Sequence, residues 1–164
     1  MNAVFLDRQT FSHQVSLTHL SQLFTDYQEY GFSASDEIIG RCRDAEVIIT
    51  NKVVLTKELL QQLPKLKLVC ITATGINNID IEAAKALKIA VTNVSGYAKH
   101  SVAQYVFAHM LNYFSQPHHH QLNVRNGLWQ QSQSFCLHGN GSSELAGKTL
   151  GIVGYGSLGQ AVAK

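Results

Sequence analysis

Short apolar runs alternate with amphipathic segments along the first hundred residues. The run 66–72, "LKLVCIT", is almost continuously apolar, as expected for a strand that is covered by helices on both faces. Similar short runs predict the other strands of this region, at 3–7, 27–32, 46–50 and 89–94. A strand–helix rhythm repeated this often predicts a parallel sheet with crossover helices. Residues 1 to about 95 are therefore expected to form one α/β unit.

Helix-start signals fall between these strands. Apolar residues repeat at helical spacing over 17–24. Ser35 is predicted to cap a helix that continues through Arg43. Thr56 and Asp80 stand directly before "KELLQQL" and "IEAAKAL", which makes both of them predicted N-caps.

The pattern changes after residue 95. Apolar positions predict a long helix over 98–116, with a start at Ser101 as the alternative because Ser101 and Gln104 have capping-box spacing. Pro117 is expected to end it. The polar stretch 118–145 predicts a short helix and then an irregular arm, and "KTLGIV" at 148–153 predicts a further strand.

A G-x-G-x-x-G motif follows that last predicted strand. Gly154 would make the tight turn, Gly156 would let the backbone approach a pyrophosphate, and Gly159 would let a helix pack close to the strand. The alternative is a glycine-rich turn that binds nothing. The acidic residue that would separate NAD from NADP is expected about 20 residues further on, past Lys164, so neither coenzyme is excluded.

Composition narrows the function classes. The chain has 164 residues, 45% hydrophobic and 15% charged, with a net charge of +2 and no basic run, which argues against a nucleic-acid partner. No apolar stretch approaches the roughly 18 residues that a membrane span needs. Three widely spaced cysteines indicate reduced thiols in a cytoplasmic protein. Three consecutive histidines at 118–120 cannot share one site on a helix, so no metal site is predicted.

Three segments carry a family resemblance: 50–111, "RNGLWQQS" at 125–132, and "ELAGKTLGIVGYGSLGQAVA" at 144–163. In this order they resemble the D-isomer-specific 2-hydroxyacid dehydrogenases, in the glycerate dehydrogenase or hydroxypyruvate reductase branch. The resemblance implies an α/β fold. It has a flavodoxin-like, parallel-sheet substrate domain over 1–96 and the first, incomplete part of a Rossmann NAD-binding domain over 97–164.

The resemblance also assigns site residues. The loop after the fourth predicted strand would hold the substrate carboxylate through its backbone N–H groups, and Asn51 would line the same cleft. The substrate-binding set is Asn51, Ala73, Thr74 and Gly75. The cofactor-binding set is Val102, beside the nicotinamide, with Gly154, Tyr155, Gly156, Ser157, Leu158 and Gly159 around the pyrophosphate. Segment 98–145 resembles the contact of a homodimer.

The implied reaction is hydride transfer between NAD(P)H and a small 2-keto or 2-hydroxy acid such as hydroxypyruvate or glycerate. NAD is the expected cofactor. The family's catalytic Arg, Glu and His match no position in 1–164, so we expect the chain alone to be inactive. The alternatives are a non-catalytic ligand-binding or dimerisation module on the same fold, and a corepressor-like relative.

Overall fold

The computed structural model describes residues 1–139 and 141–164. The chain divides into two compact units, Met1–Ser95 and Gly96–Lys164. Each unit is described by itself below.

The first unit is built on five parallel strands. They are β1 (Asn2–Phe5), β2 (Asp26–Glu29), β3 (Val47–Thr50), β4 (Leu68–Ile71) and β5 (Ala90–Thr92). Their order across the sheet is β2-β1-β3-β4-β5, the flavodoxin-like order. The predicted parallel α/β sheet is therefore confirmed.

Strand alternation divides the core of this unit between the two faces of the sheet. Val4, Ile48 and Val69 belong to one apolar cluster. Their chain neighbours Phe5 and Ile49 belong to a second cluster. Side chains on a strand alternate between its faces, so apolar residues at consecutive positions require cover on both sides.

Helices supply that cover. They are α1 (Thr18–Ser21), α2 (Ile38–Cys42), α3 (Lys57–Leu60) and α4 (Ile81–Ala86), with a 3-10 turn at Arg8–Thr10. The Leu59 amide donates to Thr56 Oγ1 at 3.4 Å, and the Ala83 amide donates to Asp80 Oδ1 at 2.9 Å. Both predicted N-caps are confirmed.

The predicted cap at Ser35 is wrong, because α2 begins at Ile38. The Glu37 amide donates to the Ala34 carbonyl at 3.0 Å, which closes a turn before the helix. The Glu37 carboxylate accepts from the Ala34 amide at 2.8 Å and from Arg41 Nη2 at 2.7 Å. These contacts make Glu37, rather than Ser35, the residue that organises the start of α2.

The second unit contains α5 (Lys99–Ser115), α6 (Pro117–Arg125), α7 (Leu128–Gln131) and α8 (Ser157–Ala163). The long helix predicted over 98–116 is confirmed. The alternative start at Ser101 is wrong, because Ser101 lies inside α5 and its hydroxyl donates to the Ala98 carbonyl at 3.0 Å. None of the helices in 1–139 and 141–164 has the length and apolar character needed to cross a membrane.

The strand predicted over 148–153 is wrong, since this segment pairs with no strand of the described residues and has a bend at Val153. A strand is stabilised by hydrogen bonds to a neighbouring strand. Within the described part of the second unit, no other segment pairs with it. Val153 is fully exposed and Leu150 is half exposed. The apolar pattern was real, but local sequence does not supply a pairing partner.

Candidate functional site

The loop after β3 is folded around a buried carboxylate. Asp7, which follows β1, is only 3% exposed. Its carboxylate accepts from Thr50 Oγ1 at 3.0 Å and from the backbone amides of Asn51, Lys52 and Val53 at 2.9, 2.6 and 3.3 Å. Successive N–H groups that converge on one anion form a nest and hold the chain in one conformation. Asp7, which follows β1, therefore fixes the backbone position of Asn51.

The loop after β4 is braced by the segment that follows β5. Asn93 Nδ2 donates to the Thr74 carbonyl at 2.8 Å, and Thr74 Oγ1 donates to the Val94 carbonyl at 2.9 Å. The Val94 amide donates to the Ala73 carbonyl at 3.0 Å. The amides of Ala73, Thr74 and Gly75 donate to no acceptor in the described residues. The loop thus offers free N–H groups on a fixed backbone.

These two loops enclose a cavity of about 220 Å³ at the carboxyl edge of the sheet. Its lining residues are Asn51, Lys52, Val54, Ala73, Gly75, Asn77 and Asn78. The structure therefore brings three of the four predicted substrate-binding residues to one cavity. Thr74, the fourth, is exposed in the same loop.

Sequence reasoning missed two residues of this region. Asp7 was assigned only to the end of a predicted strand, and its position directly after four apolar residues was the available signal. Lys52 lines the cavity and makes no ion pair within the described chain. A further contact joins the two loops: Asn78 Nδ2, in the segment after β4, donates to the Val53 carbonyl in the loop after β3 at 3.0 Å.

A second cavity, of about 400 Å³, borders the same loop after β3. It is lined by Lys52, Val53 and Val54 and by residues that follow β1 and β2. Parallel strands end at one edge of a sheet, and ligands in such folds bind outside these carboxyl ends. The cavities of about 220 Å³ and 400 Å³ both lie at that edge.

The glycine motif lies in the second unit as a turn followed by α8. Gly154 has φ +90°, a left-handed conformation that favours glycine. A Cβ added at Gly156 would meet nothing within 4 Å. A Cβ added at Gly159 would collide with the Gly154 carbonyl oxygen and approach Ile152 Cγ2 to 3.3 Å. The three glycines thus make a turn, leave an open backbone and allow α8 to pack closely against the Gly154 turn, although the strand expected before the motif is absent.

Of the other predicted cofactor residues, Tyr155, Ser157 and Leu158 lie at the glycine turn, whereas Val102 lies on α5. Tyr155 and Leu158 are exposed, 69% and 45%, beside the turn. Ser157 lines a cavity of about 240 Å³ together with Lys99 and His100 at the start of α5, and with Gln160, Ala161 and Lys164. Val102 is half-buried on α5, which packs against α8, but it is not among the residues that line this cavity.

Metal ligation has no support in 1–139 and 141–164, where no three His, Cys, Asp or Glu side chains are grouped for an ion. The three cysteines are free thiols.

Comparison with known proteins decides the family. Residues 4–155 match the family model described as "D-isomer specific 2-hydroxyacid dehydrogenase, catalytic domain". The chain belongs to this family. This match covers most of the sequence, in agreement with the resemblance drawn from its motifs.

Two relatives and one solved structure illustrate the similarity. The chain is 38% identical to a putative 2-hydroxyacid dehydrogenase of Haemophilus influenzae, with 100% of the chain and 52% of the relative covered. It is 36% identical to a glycerate dehydrogenase of Methylorubrum extorquens, with 98% and 51% covered. The NAD complex of the NAD-dependent formate dehydrogenase of Staphylococcus aureus superposes with a TM-score of 0.69 at 25% identity, over 99% of this chain and 52% of that one. The chain spans about half the length of these proteins.

Proposed function

We propose that this chain binds substrate and coenzyme for a dehydrogenase reaction, the transfer of a hydride between NAD(P)H and a small 2-keto or 2-hydroxy acid. Hydroxypyruvate and glycerate are the first pair to test. The observation that carries the proposal is the loop Ala73–Thr74–Gly75: its amides donate to no acceptor in the described residues, and Ala73 and Gly75 line the same cavity as Asn51 and Lys52. The names of the two relatives support the same substrate class. Residues 1–96 are assigned to substrate binding and 97–164 to coenzyme binding.

The substrate carboxylate would be held by the amides of Ala73, Thr74 and Gly75. Backbone N–H groups on a braced loop bind an anion without reorganisation. The carbonyls of Ala73 and Thr74 already accept hydrogen bonds from the segment after β5. The Asn51 side chain lines the cavity beside them, and Lys52 adds a positive charge. This set of donors suits a small monoanionic acid.

The coenzyme would be held at Gly154–Gly159, with Tyr155, Ser157 and Leu158 around its pyrophosphate and Val102 near its nicotinamide. The open space at the Cβ position of Gly156 and the turn at Gly154 fit close approach of a diphosphate. When bound, the coenzyme supplies the hydride. NAD is the proposed form, and NADP stays open.

A homodimer formed through 98–145 is the proposed assembly. Tyr105 and Tyr113 on α5 are 67% and 75% exposed, and Leu111 is 50% exposed. These exposed apolar side chains of α5 are thus available to a second copy, whereas Val102 and Val106 are half-buried.

The test is a titration of the ¹⁵N-labelled chain, followed by NMR, with oxamate as an anionic isostere of a 2-keto acid and with its neutral analogue oxamide as the control. We expect oxamate to shift the amides of Ala73–Gly75 and NADH to shift those of 154–159, while oxamide shifts neither. Oxamate shifts confined to other segments would contradict the substrate site. Oxamate binding without NADH binding would instead favour the non-catalytic ligand-binding module.

A further inference from the structure

Asp7 is a buried anion that the proposed function does not use. It is 3% exposed, and it enters no ion pair in the described residues. We propose that Asp7 is a positioning residue of the substrate site, which holds Asn51 and Lys52 at the cavity through their backbone amides. The proposal rests on the proposed function, because it assigns a role at that same site.

The contacts account for a buried charge without a cation. An unpartnered carboxylate away from water is strongly disfavoured, but charge-assisted hydrogen bonds to amides offset this cost. Asp7 Oδ1 accepts from the Asn51 amide at 2.9 Å, and Oδ2 accepts from the Lys52 amide at 2.6 Å. Because the negative charge is satisfied by main-chain donors, the ammonium group of Lys52 is left for the cavity.

The remaining contacts of the loop do not replace Asp7. Thr50 Oγ1 accepts from the Val53 amide at 3.1 Å, and Asn78 Nδ2 donates to the Val53 carbonyl at 3.0 Å. Both hydrogen bonds therefore hold Val53, at the end of the loop that is farther from β3. Among the described residues, Asp7 is the acceptor for the amides of Asn51 and Lys52. Removing its carboxylate would release the two residues that face the ligand while the far end stays fixed.

The experiment compares Asp7→Asn with Ser33→Ala. Asparagine keeps the shape of the side chain but places an N–H₂ group where an oxygen accepted amide hydrogens. Ser33 is also buried at the carboxyl edge, and its hydroxyl donates to the Leu6 carbonyl at 2.7 Å and accepts from Arg41 Nη1 at 2.6 Å, so Ser33→Ala is the control for the loss of polar contacts at this edge. We expect Asp7→Asn to weaken oxamate binding about tenfold, and Ser33→Ala to change it less than about twofold.

A double-mutant cycle separates positioning from general destabilisation. If Asp7 acts through Asn51 and Lys52, Asp7→Asn should weaken oxamate binding less than about twofold in an Asn51→Ala/Lys52→Ala background. A full tenfold loss in that background, or an Asp7→Asn protein that binds oxamate like the wild type, would overturn the proposal.

A wild-type measurement covers the case in which Asp7→Asn does not fold. Scalar coupling across the hydrogen bond, between the Lys52 amide nitrogen and the Asp7 carboxyl carbon, is expected in a long-range HNCO spectrum. Absence of this coupling together with fast hydrogen exchange at the Asn51 and Lys52 amides would contradict the proposed positioning role of Asp7. If the coupling is present but the wild type binds no oxamate, the proposed function fails while the loop geometry stands.

Discussion

The side-chain amide of Asn93 donates to the backbone carbonyl of Thr74 at 2.8 Å, so the segment after β5 holds the loop after β4. The Thr74 hydroxyl in turn donates a hydrogen bond to the Val94 carbonyl at 2.9 Å. The carbonyls of Ala73 and Thr74 thus accept hydrogen bonds from the segment after β5, and the amides of the loop are the groups that we propose to bind the ligand. This relationship couples two strand ends of the first unit at the proposed substrate site.

Asn93→Ala should therefore loosen the loop and weaken oxamate binding, by roughly the factor of ten that loss of one hydrogen bond supports. Asn93→Asp should weaken it further, because a carboxylate would repel both the Thr74 carbonyl and the anionic ligand. Asn112→Ala, on the exposed surface of α5, is the control. Calorimetric titration measures all three, and equal affinities for Asn93→Ala and the control would contradict the brace.

Gly159→Ala should disrupt the glycine turn, whereas Gly156→Ala should preserve its fold. The added Cβ at Gly159 meets the Gly154 carbonyl, which is backbone and cannot turn aside, but the Cβ at Gly156 meets open space. Overpacking of this kind costs about 1–3 kcal/mol locally. We expect loss of helical ¹³Cα shifts over Ser157–Ala163 in the first variant only. Retained helical shifts in Gly159→Ala would contradict the packing.

Asp80→Ala should lower the free energy of unfolding by about 1 kcal/mol, since it removes the 2.9 Å N-cap bond to the Ala83 amide. Asp80→Asn should cost less, because the asparagine oxygen still accepts that hydrogen bond. Asp36→Ala provides a control carboxylate, exposed in the turn before α2. Urea denaturation gives the three values. An Asp80→Ala variant as stable as Asp36→Ala would show that the cap contributes nothing.

Burial raises the pKa of the Cys42 thiol from 9.0 to about 12, against a smaller lowering by the charge of Arg41. Above about pH 9 the unfolded chain releases this proton while the native chain keeps it. Stability contributed by the protonated thiol is thus complete below pH 9 and is lost as the pH rises, by at most about 1.4 kcal/mol per pH unit.

The measurement is the urea-unfolding free energy between about pH 8 and pH 10, the range below the ordinary Tyr27 pKa of 10.0, which burial and Glu29 raise to about 12. Cys42→Ala should flatten the decline, although the smaller side chain lowers stability at every pH. Cys136→Ala, in the second unit, is the control for removal of a thiol. Identical slopes for the wild type and Cys42→Ala would refute the assignment.

The sequence by itself determined the parallel α/β architecture, the N-caps Thr56 and Asp80, and the positions of the glycine turn. These features depend on local chemistry: apolar runs of strand length, a side-chain oxygen two or three residues before an amide, and a left-handed turn at Gly154. The family motifs also located the loop Ala73–Gly75 in the sequence. Each of these signals lies within a few residues of the feature it predicts.

Only the tertiary structure decided the rest. Asp7 and Asn51 are 44 residues apart, so their contact depends on β1 and β3 lying side by side in the sheet. Segment 148–153 has the apolar pattern of a strand, yet ladder hydrogen bonds come from a partner that local pattern does not specify. The cavity beside Asn51 likewise exists because parallel strands end at one edge, which brings together loops that are distant along the chain.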